Sequence, residues 1–225
     1  MTPNLFLSRV RLRKDAPSAA LAEVLLPLDI DRRVTVSHKL LWTLFSDGPD
    51  RARDFLWREA DKGVFYLLSA RSPNDAHSLF DIDPPKAFAP SLSIGDRLLF
   101  SLRANPTVSR KRVGKRGQRS DVVMNEISAL PQDERAKARP RAIQDAGAAW
   151  LRRQGERAGF TVDSVCVDGY RVLRPPHGKN SMRIATVDFD GVLRVTDVEA
   201  FASTLSKGFG RAKAYGCGLM LIRRA

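Results

Sequence analysis

Hydrophobic and polar positions alternate with a period of two in several stretches of the chain, a pattern that predicts strands. Two of these stretches, within Arg53–Arg71, are separated by Asp61-Lys62-Gly63 and are typical of a hairpin. The remaining predicted strands lie at 5–13, 95–106, 160–175, 181–195 and 216–224, with a further possible strand at 105–113.

Apolar residues at helical spacing predict helices between these strands. The first helix is expected over Ser37–Phe45, with Ser37 as its N-cap, and a weak candidate follows near Asp75–Phe80. A strongly amphipathic segment predicts a helix over 142–157, ended by Gly159. The last predicted helix starts at Thr196 or Asp197 and stops at Gly208.

The order β-α-β-β-α-β is therefore expected twice along the chain. This order predicts an α+β protein of two tandem ferredoxin-like (RRM-like) βαββαβ domains. We expect an N-terminal domain of residues 1–104, which carries His38, and a basic C-terminal domain of residues 105–225, which carries a glycine-rich loop.

The positive charge is concentrated in the second half. Residues 1–100 contain 14 Lys and Arg against 13 Asp and Glu, whereas residues 101–225 contain 24 against 12. This asymmetry indicates a polyanionic partner for the second half, although a basic, merely soluble surface would also produce it. Early charges and the lack of an apolar run of roughly 18 residues argue against a signal peptide or membrane span, so a cytoplasmic location without membrane contact is expected.

A cluster of cationic side chains follows the strand predicted at 95–106. Such charges cannot be buried unpaired, so the stretch is either a solvated loop or a phosphate-binding loop. The cluster comprises Arg110, Lys111, Arg112, Lys115, Arg116 and Arg119.

The sequence from Lys207 to Arg224 begins like the RNA-binding octapeptide of RRM domains, but Arg211 stands where the octapeptide requires an aromatic residue for base stacking. Glycines allow positive φ and a close approach of backbone N–H groups to a ligand, although glycine loops are also common without function. The candidate phosphate-binding residues here are Gly208, Gly210, Arg211, Lys213, Gly216 and Gly218.

Acid–base chemistry near neutral pH could come from three histidines, His38, His77 and His177. His77 and His177 lie in predicted loops. Cys166 and Cys217 lack metal-ligand spacing, and Asp188 and Asp190 alternate along a predicted strand as solvent-facing residues do. The sequence thus disfavours a zinc site and a two-metal nuclease.

Four stretches of the sequence together match a known pattern: LFLSRVRL; SHKLLWTLF with ARDFLWR; RLLFSLRANPT; and VDFDGVLRVTD running into GFGRAKAYGCGLMLI. These stretches resemble the CasE family of CRISPR-associated endoribonucleases, the RNA-processing subunits of the type I-E Cascade complex. The resemblance implies the same tandem ferredoxin-like fold and a monomer when free of other subunits.

The resemblance also implies an activity. Family members cleave the CRISPR repeat RNA at the base of its stem-loop without metal or other cofactor. A 2′-hydroxyl attacks the adjacent phosphate and leaves a 2′,3′-cyclic phosphate, and the enzyme stays bound beside other Cascade subunits.

His38 matches the position of the family's catalytic histidine, and its expected place at a helix N-terminus would lower its pKa. Family members often carry a tyrosine three residues earlier, where this chain has Thr35. Ser37, Tyr215 or a basic residue could replace that phenol. The family's basic residues before the penultimate strand correspond to Lys179 and Arg183, either of which could neutralise the scissile phosphate.

Two alternatives remain open from the sequence. The missing tyrosine leaves room for a non-catalytic scaffold that binds an RNA hairpin. Charge alone would also fit a ribosome-associated basic protein.

Overall fold

A computed structural model describes residues 4–15, 21–45, 53–112, 115–176 and 182–225, without the side chains of residues 22 and 110–118. The first part of the chain forms β1 (Phe6–Leu12), α1 (Ala22–Leu25), α2 (Ile30–Trp42), β2 (Phe55–Asp61), β3 (Val64–Ser69), β4 (Phe80–Ile82) and β5 (Lys86–Ala87). The second part forms β6 (Arg97–Ala104), β7 (Thr107–Arg112), β8 (Lys115–Asp121), α3 (Val122–Ala129), α4 (Arg135–Ala158), β9 (Phe160–Leu173), β10 (Ile184–Val195), α5 (Val198–Lys207) and β11 (Met220–Arg224).

The first sheet has the strand order β2-β3-β1-β4, with β5 also paired to β1. Its neighbouring strands are antiparallel, and β3 lies between β1 and β2. This is the ferredoxin-like order, with α2 connecting β1 to β2 across one face. We call β1–β5 with α1 and α2 the first unit.

The second sheet has the strand order β11-β6-β10-β9, again antiparallel throughout. Taken in chain order, β6, α4, β9, β10, α5 and β11 repeat the ferredoxin-like arrangement. The tandem fold predicted from the sequence is confirmed. We call these elements, together with β7, β8 and α3, the second unit.

One strand lies in a different sheet from the one predicted. Arg97–Ala104 was expected to complete the first domain, but β6 pairs with β10 and β11 and is the first strand of the second sheet. The short β4 occupies the corresponding edge of the first sheet. By strand pairing, the first unit therefore ends before Arg97.

The basic cluster lies on a separate two-stranded hairpin. Residues 105–113 were predicted to start the second sheet, but β7 pairs only with β8, from Thr107 opposite Asp121 to Arg112 opposite Lys115. The described backbone of the cluster thus forms a two-stranded antiparallel ribbon that is not hydrogen-bonded into the second sheet.

Two helix predictions are also corrected. Asp29, not Ser37, is the N-cap of α2, because its carboxylate accepts hydrogen bonds from the backbone N–H groups of Asp31 (2.7 Å) and Arg32 (3.2 Å). Residues 70–79 form turns instead of a second helix, in which the Asp75 carboxylate accepts from two backbone N–H groups. In contrast, Asp197 caps α5 as expected.

Each unit has its own apolar core. Leu41, Phe55, Trp57 and Phe65 lie in the core of the first unit. The core of the second contains Trp150, Phe160, Phe189 and Phe201. No helix among the described residues is both long and apolar enough to cross a bilayer.

Candidate active site

His38 lies on α2, four residues after Val34, so that the two side chains share a face of the helix. The imidazole is half-buried between the rings of Trp42 and Phe55, whose centroids are 6.2 and 6.1 Å from its own. Its Nδ1 atom is buried, and no described residue hydrogen-bonds to it. The histidine is thus held mainly by ring contacts.

The pKa of His38 is lowered from 6.5 to about 4. Burial is the main cause, and the positive charge of Arg53 adds to it. The helix N-terminus invoked from the sequence is the wrong cause, because His38 is the ninth of the 13 residues of α2. The imidazole is therefore neutral at pH 7 in the free protein.

The glycine-rich loop, residues 208–218, packs its backbone on the first unit. Gly208 and Gly216 have φ values of 77° and 75° and are buried. A Cβ atom on Gly208 would lie 2.8 Å from Leu56, and one on Gly216 would lie 3.2 Å from Trp57, so both glycines pack closely against β2 and a side chain at either position would require its neighbours to shift. These glycines were expected to approach a ligand, but they approach the protein's own strand.

Hydrogen bonds close this loop on the second sheet. The Phe209 N–H donates to the Gly218 carbonyl (2.9 Å), and the Gly218 N–H donates to the carbonyl of Arg103 on β6 (2.7 Å). The N–H of Gly218 is therefore not available to a phosphate. Gly210, which is half-buried, lines a surface cavity instead.

A short 3-10 turn within the loop, Lys213–Tyr215, contacts α2 and β2. Tyr215 packs in a small apolar cluster with Val34, and burial raises the pKa of its phenol. The ammonium of Lys213 donates to the Lys207 carbonyl at the end of α5. Burial, and secondarily the charge of Arg53, lower the pKa of Lys213.

Charged groups join the two units behind this loop. Asp188 on β10 accepts two hydrogen bonds from Arg103 (2.7 and 2.8 Å), and Arg58 of β2 lies 3.9 Å away. Arg58 also donates to Ser101 of β6 (2.8 Å). The Asp188 side chain is 20% exposed, so its expected position on a solvent face is wrong.

A cavity of about 380 Å³ opens beside the turn and brings several predicted residues together. An adjoining cavity of about 330 Å³ shares Arg119 and Arg211 with it and is also lined by Trp150 and Gly210. The larger cavity is lined by Arg119, Arg183, Arg211 and Tyr215, with Asn105 on the β6–β7 connection and Thr107 at the start of β7. Three arginines thus make this part of the second unit a cationic cleft.

Other predicted site residues are placed differently. Ser37 is fully buried and its hydroxyl has no hydrogen-bond partner among the described residues, so it cannot contact RNA in this conformation. Lys179 lies outside the described residues. The backbone of Arg110, Lys111, Arg112, Lys115 and Arg116 lies in the β7–β8 hairpin, but their side chains are outside the description.

Sequence reasoning missed Arg53. The residue lies just before β2, and its charge acts on both His38 and Lys213. It was quoted within ARDFLWR only as part of a resemblance. Its proximity to the histidine depends on how β2 and α2 pack, which periodicity cannot reveal.

The fold and the cationic cleft define the class: a tandem ferredoxin-like protein with a half-buried histidine on a helix that the glycine-rich loop contacts. A sequence model of the family described as CRISPR associated protein matches residues 5–224, and this chain belongs to that family. The resemblance to the CasE family is thereby confirmed.

Individual relatives agree with this family assignment. The chain is 28% identical over 210 residues to the CRISPR system Cascade subunit CasE of Escherichia coli, covering 90% of this chain and 98% of that protein. It is 32% identical over 143 residues to the CRISPR-associated endoribonuclease Cse3 of Thermus thermophilus, covering 62% and 61%. A structure of Thermus thermophilus Cse3 bound to an RNA that represents a pre-cleavage complex has a TM-score of 0.69 at 24% identity, covering 98% and 99% of the two chains, and shows the shared fold.

Proposed function

We propose that this protein is an endoribonuclease that cleaves CRISPR repeat RNA at the base of its stem-loop and stays bound to the product as a Cascade subunit. The observation that carries the proposal is the half-buried, neutral His38 beside a loop of the second unit. The names of its relatives, an endoribonuclease and a Cascade subunit, support the reaction and the partners.

The proposed reaction needs no group beyond the RNA and the protein. The 2′-hydroxyl oxygen attacks the adjacent phosphorus, the bond from phosphorus to the 5′ oxygen breaks, and a 2′,3′-cyclic phosphate and a 5′-hydroxyl result. His38 takes the 2′ proton, for which its neutral state suits it. With a pKa near 4, only about one His38 in a thousand is protonated at pH 7.

The departing 5′ oxygen needs a proton, and we assign its donor to Tyr215. Its raised pKa keeps the phenol protonated at neutral pH, and the ring packs against the apolar cluster that contains Val34, the neighbour of Thr35. The phenol that the family often places at position 35 is thus supplied from the glycine-rich loop in this proposal.

RNA binding is assigned to the second unit. The cleft arginines Arg119, Arg183 and Arg211 face a common cavity, and the β7–β8 hairpin adds five further cations. Backbone contacts dominate recognition of an A-form stem. The logarithm of the affinity should then fall by roughly 0.7–0.9 for each phosphate contacted per tenfold rise in salt, and a flat salt dependence would contradict this assignment.

The test is cleavage of a repeat RNA by the pure protein, with and without EDTA, followed by mapping of both product ends. His38→Ala should lower the single-turnover rate by about 10²–10⁴-fold with hairpin affinity nearly unchanged. His77→Ala, at an exposed turn, is the matched control and should cleave at the wild-type rate. Full activity of His38→Ala would remove the histidine from the mechanism, and loss of activity in EDTA would exclude this metal-free route.

The alternative, a scaffold that binds the hairpin without cleaving it, is favoured by Thr35 in place of the tyrosine. Tight binding of the repeat RNA with no cleavage over hours would establish it.

A further inference from the structure

Arg53 lies half-buried at the start of β2, beside the candidate active site. Its Nη1 atom is buried and no described residue accepts a hydrogen bond from it. The carboxylate next to it in sequence is already engaged, because Asp54 accepts from Arg71 at 2.8 and 3.3 Å. Among the described residues, no acidic side chain forms an ion pair with Arg53.

A guanidinium without a partner is costly to bury, since desolvation of the charge is not offset by an anion. The other arginines of β2 and its surroundings avoid this cost. Arg58 reaches Asp188 and Ser101, and Arg33 lies 3.4 Å from Glu59. Among the described, partly buried arginines of the first unit, Arg53 alone lacks an acidic partner. A bound anion would offset the cost of burying its charge.

Side chains from three separate elements converge on the same place, since the turn Lys213–Tyr215 contacts both α2 and β2. The neutral imidazole of His38 comes from α2, and two cations come from Arg53, just before β2, and from Lys213 of the glycine-rich loop. Electrostatics supports this proximity, because the charge of Arg53 contributes to the lowered pKa of both His38 and Lys213. Lys213 is fixed by its bond to the Lys207 carbonyl, so the cluster is built before any ligand arrives.

Phosphate matches this cluster chemically. A guanidinium can donate two parallel hydrogen bonds to phosphate oxygens, which a point charge cannot do. A phosphate undergoing attack also gains negative charge, and a fixed donor stabilises this state more strongly than the ground state.

We propose that Arg53 is a catalytic residue that binds two oxygens of the scissile phosphate and stabilises the charge that develops on it. The inference rests on the proposed function and adds to it a group that neither the sequence nor the family resemblance assigned. The role expected for Lys179 or Arg183 at this phosphate passes to Arg53. Arg183 lies in the cleft and serves the flanking backbone.

The phosphate would also couple Arg53 to His38. Before RNA binds, Arg53 opposes protonation of the imidazole. Once a phosphate neutralises the guanidinium, the histidine accepts the 2′ proton more readily. Arg53 would thus keep the base unprotonated until substrate is present.

The experiment compares Arg53→Gln and Arg53→Lys with wild type in single-turnover cleavage of the repeat hairpin. We expect Arg53→Gln to lower the rate by about 10²–10³-fold and Arg53→Lys to recover only part of it. Affinity for a repeat RNA with a 2′-deoxy substitution at the cleavage site should change by less than about threefold, because the second unit supplies most phosphate contacts. Arg11→Gln is the control, since it removes the same charge from a surface pair with Asp83.

A second readout does not depend on cleavage. In the RNA-free protein, NMR titration of the His38 ring should give a higher pKa in Arg53→Gln than in wild type, and an unchanged pKa in Arg11→Gln. A wild-type cleavage rate in Arg53→Gln, or an unchanged His38 pKa, would overturn the proposal. If Arg53→Gln fails to fold, a wild-type rate in Arg53→Lys overturns the two-oxygen contact.

These results separate the inference from the function on which it rests. Full activity of His38→Ala contradicts the histidine mechanism, whatever Arg53 does. An inactive His38→Ala beside a fully active Arg53→Gln leaves the mechanism in place and removes Arg53 from it.

Discussion

The two units share one strand order but differ in what surrounds it. At the edge where the second unit has the five-residue β11, the first has the three-residue β4 and the two-residue β5. Residues 70–79 form turns where the second unit has α5. The second also carries the 24-residue α4, the basic hairpin and almost all of the excess positive charge. The comparison teaches that one topology can be divided by task, with the proposed catalytic histidine in one copy and the positive charge and the glycine-rich loop in the other.

The largest effect should come from breaking the contact that joins the copies. Asp188→Ala leaves Arg103 and Arg58 facing each other across the units without their shared carboxylate, which should lower the free energy of unfolding by about 3 kcal/mol. Urea unfolding measures the change. Asp190→Ala, exposed on the same strand, should cost no more than about 0.5 kcal/mol, and equal losses in both variants would contradict a special role for Asp188.

The second-largest effect on stability should come from the glycine-rich loop, which belongs to the second unit and packs on the first. Gly218 has a φ of 96°, and a Cβ atom there would lie 2.7 Å from the Phe209 carbonyl oxygen. Gly218→Ala should therefore destabilise by about 2–3 kcal/mol, since it adds a backbone clash to the cost of positive φ.

Gly95→Ala separates the cost of a positive φ from the cost of the backbone clash. Gly95 has a φ of 90° but open space around its missing Cβ, so its replacement should cost about 1 kcal/mol. Thermal unfolding of both variants gives the difference, and a Gly95→Ala variant as unstable as Gly218→Ala would mean that packing against Phe209 contributes nothing.

The smallest expected effect concerns the first unit, where burial of His38 makes the free energy of unfolding depend on pH. Because the pKa of His38 is about 4 when folded and 6.5 ordinarily, the unfolded chain binds more protons between these values. The free energy of unfolding therefore rises with pH across this window, and acidification through it removes about 1–2 kcal/mol after allowance for solvent screening. Urea unfolding at pH 4.5 and 7.5 should show a smaller pH dependence of the unfolding free energy for His38→Asn than for wild type. The same pH dependence in both proteins would mean that the His38 side chain is solvent-exposed.

Much of the fold was predictable because local chemistry decided it. Alternation located β9, β10 and β11, and Asp197 and Gly208 bounded α5. The start of α2 was missed because four of the seven residues in its first two turns are polar, and only Ile30, Val34 and Val36 are apolar. The residues after Asp29 therefore lack the clear helical hydrophobic pattern that would have predicted an N-cap at this position.

The partners of β6 could not be predicted, since alternation identifies a strand but not the sheet it joins. In the candidate active site as well, the sequence predicts individual residues but not the contacts that tertiary packing creates. His38 and Arg183 were predicted through resemblance, Arg119 through the cationic cluster and Arg211 through the glycine-rich stretch, but the meeting of the three arginines at one cleft was not predicted. The burial of Ser37 and the convergence of Arg53 with Lys213 likewise arise from tertiary packing.

The loop that contacts α2 also has a consequence for synthesis on the ribosome. Lys213 lies about 175 residues after His38, and at about 5–20 residues per second the loop emerges on the order of ten seconds or more after the helix it touches. During this interval Leu56 and Trp57 lack the backbone that covers them in the finished protein. A nascent chain therefore presents an uncovered apolar strand beside its histidine, a surface suited to chaperone binding until the last strand is made.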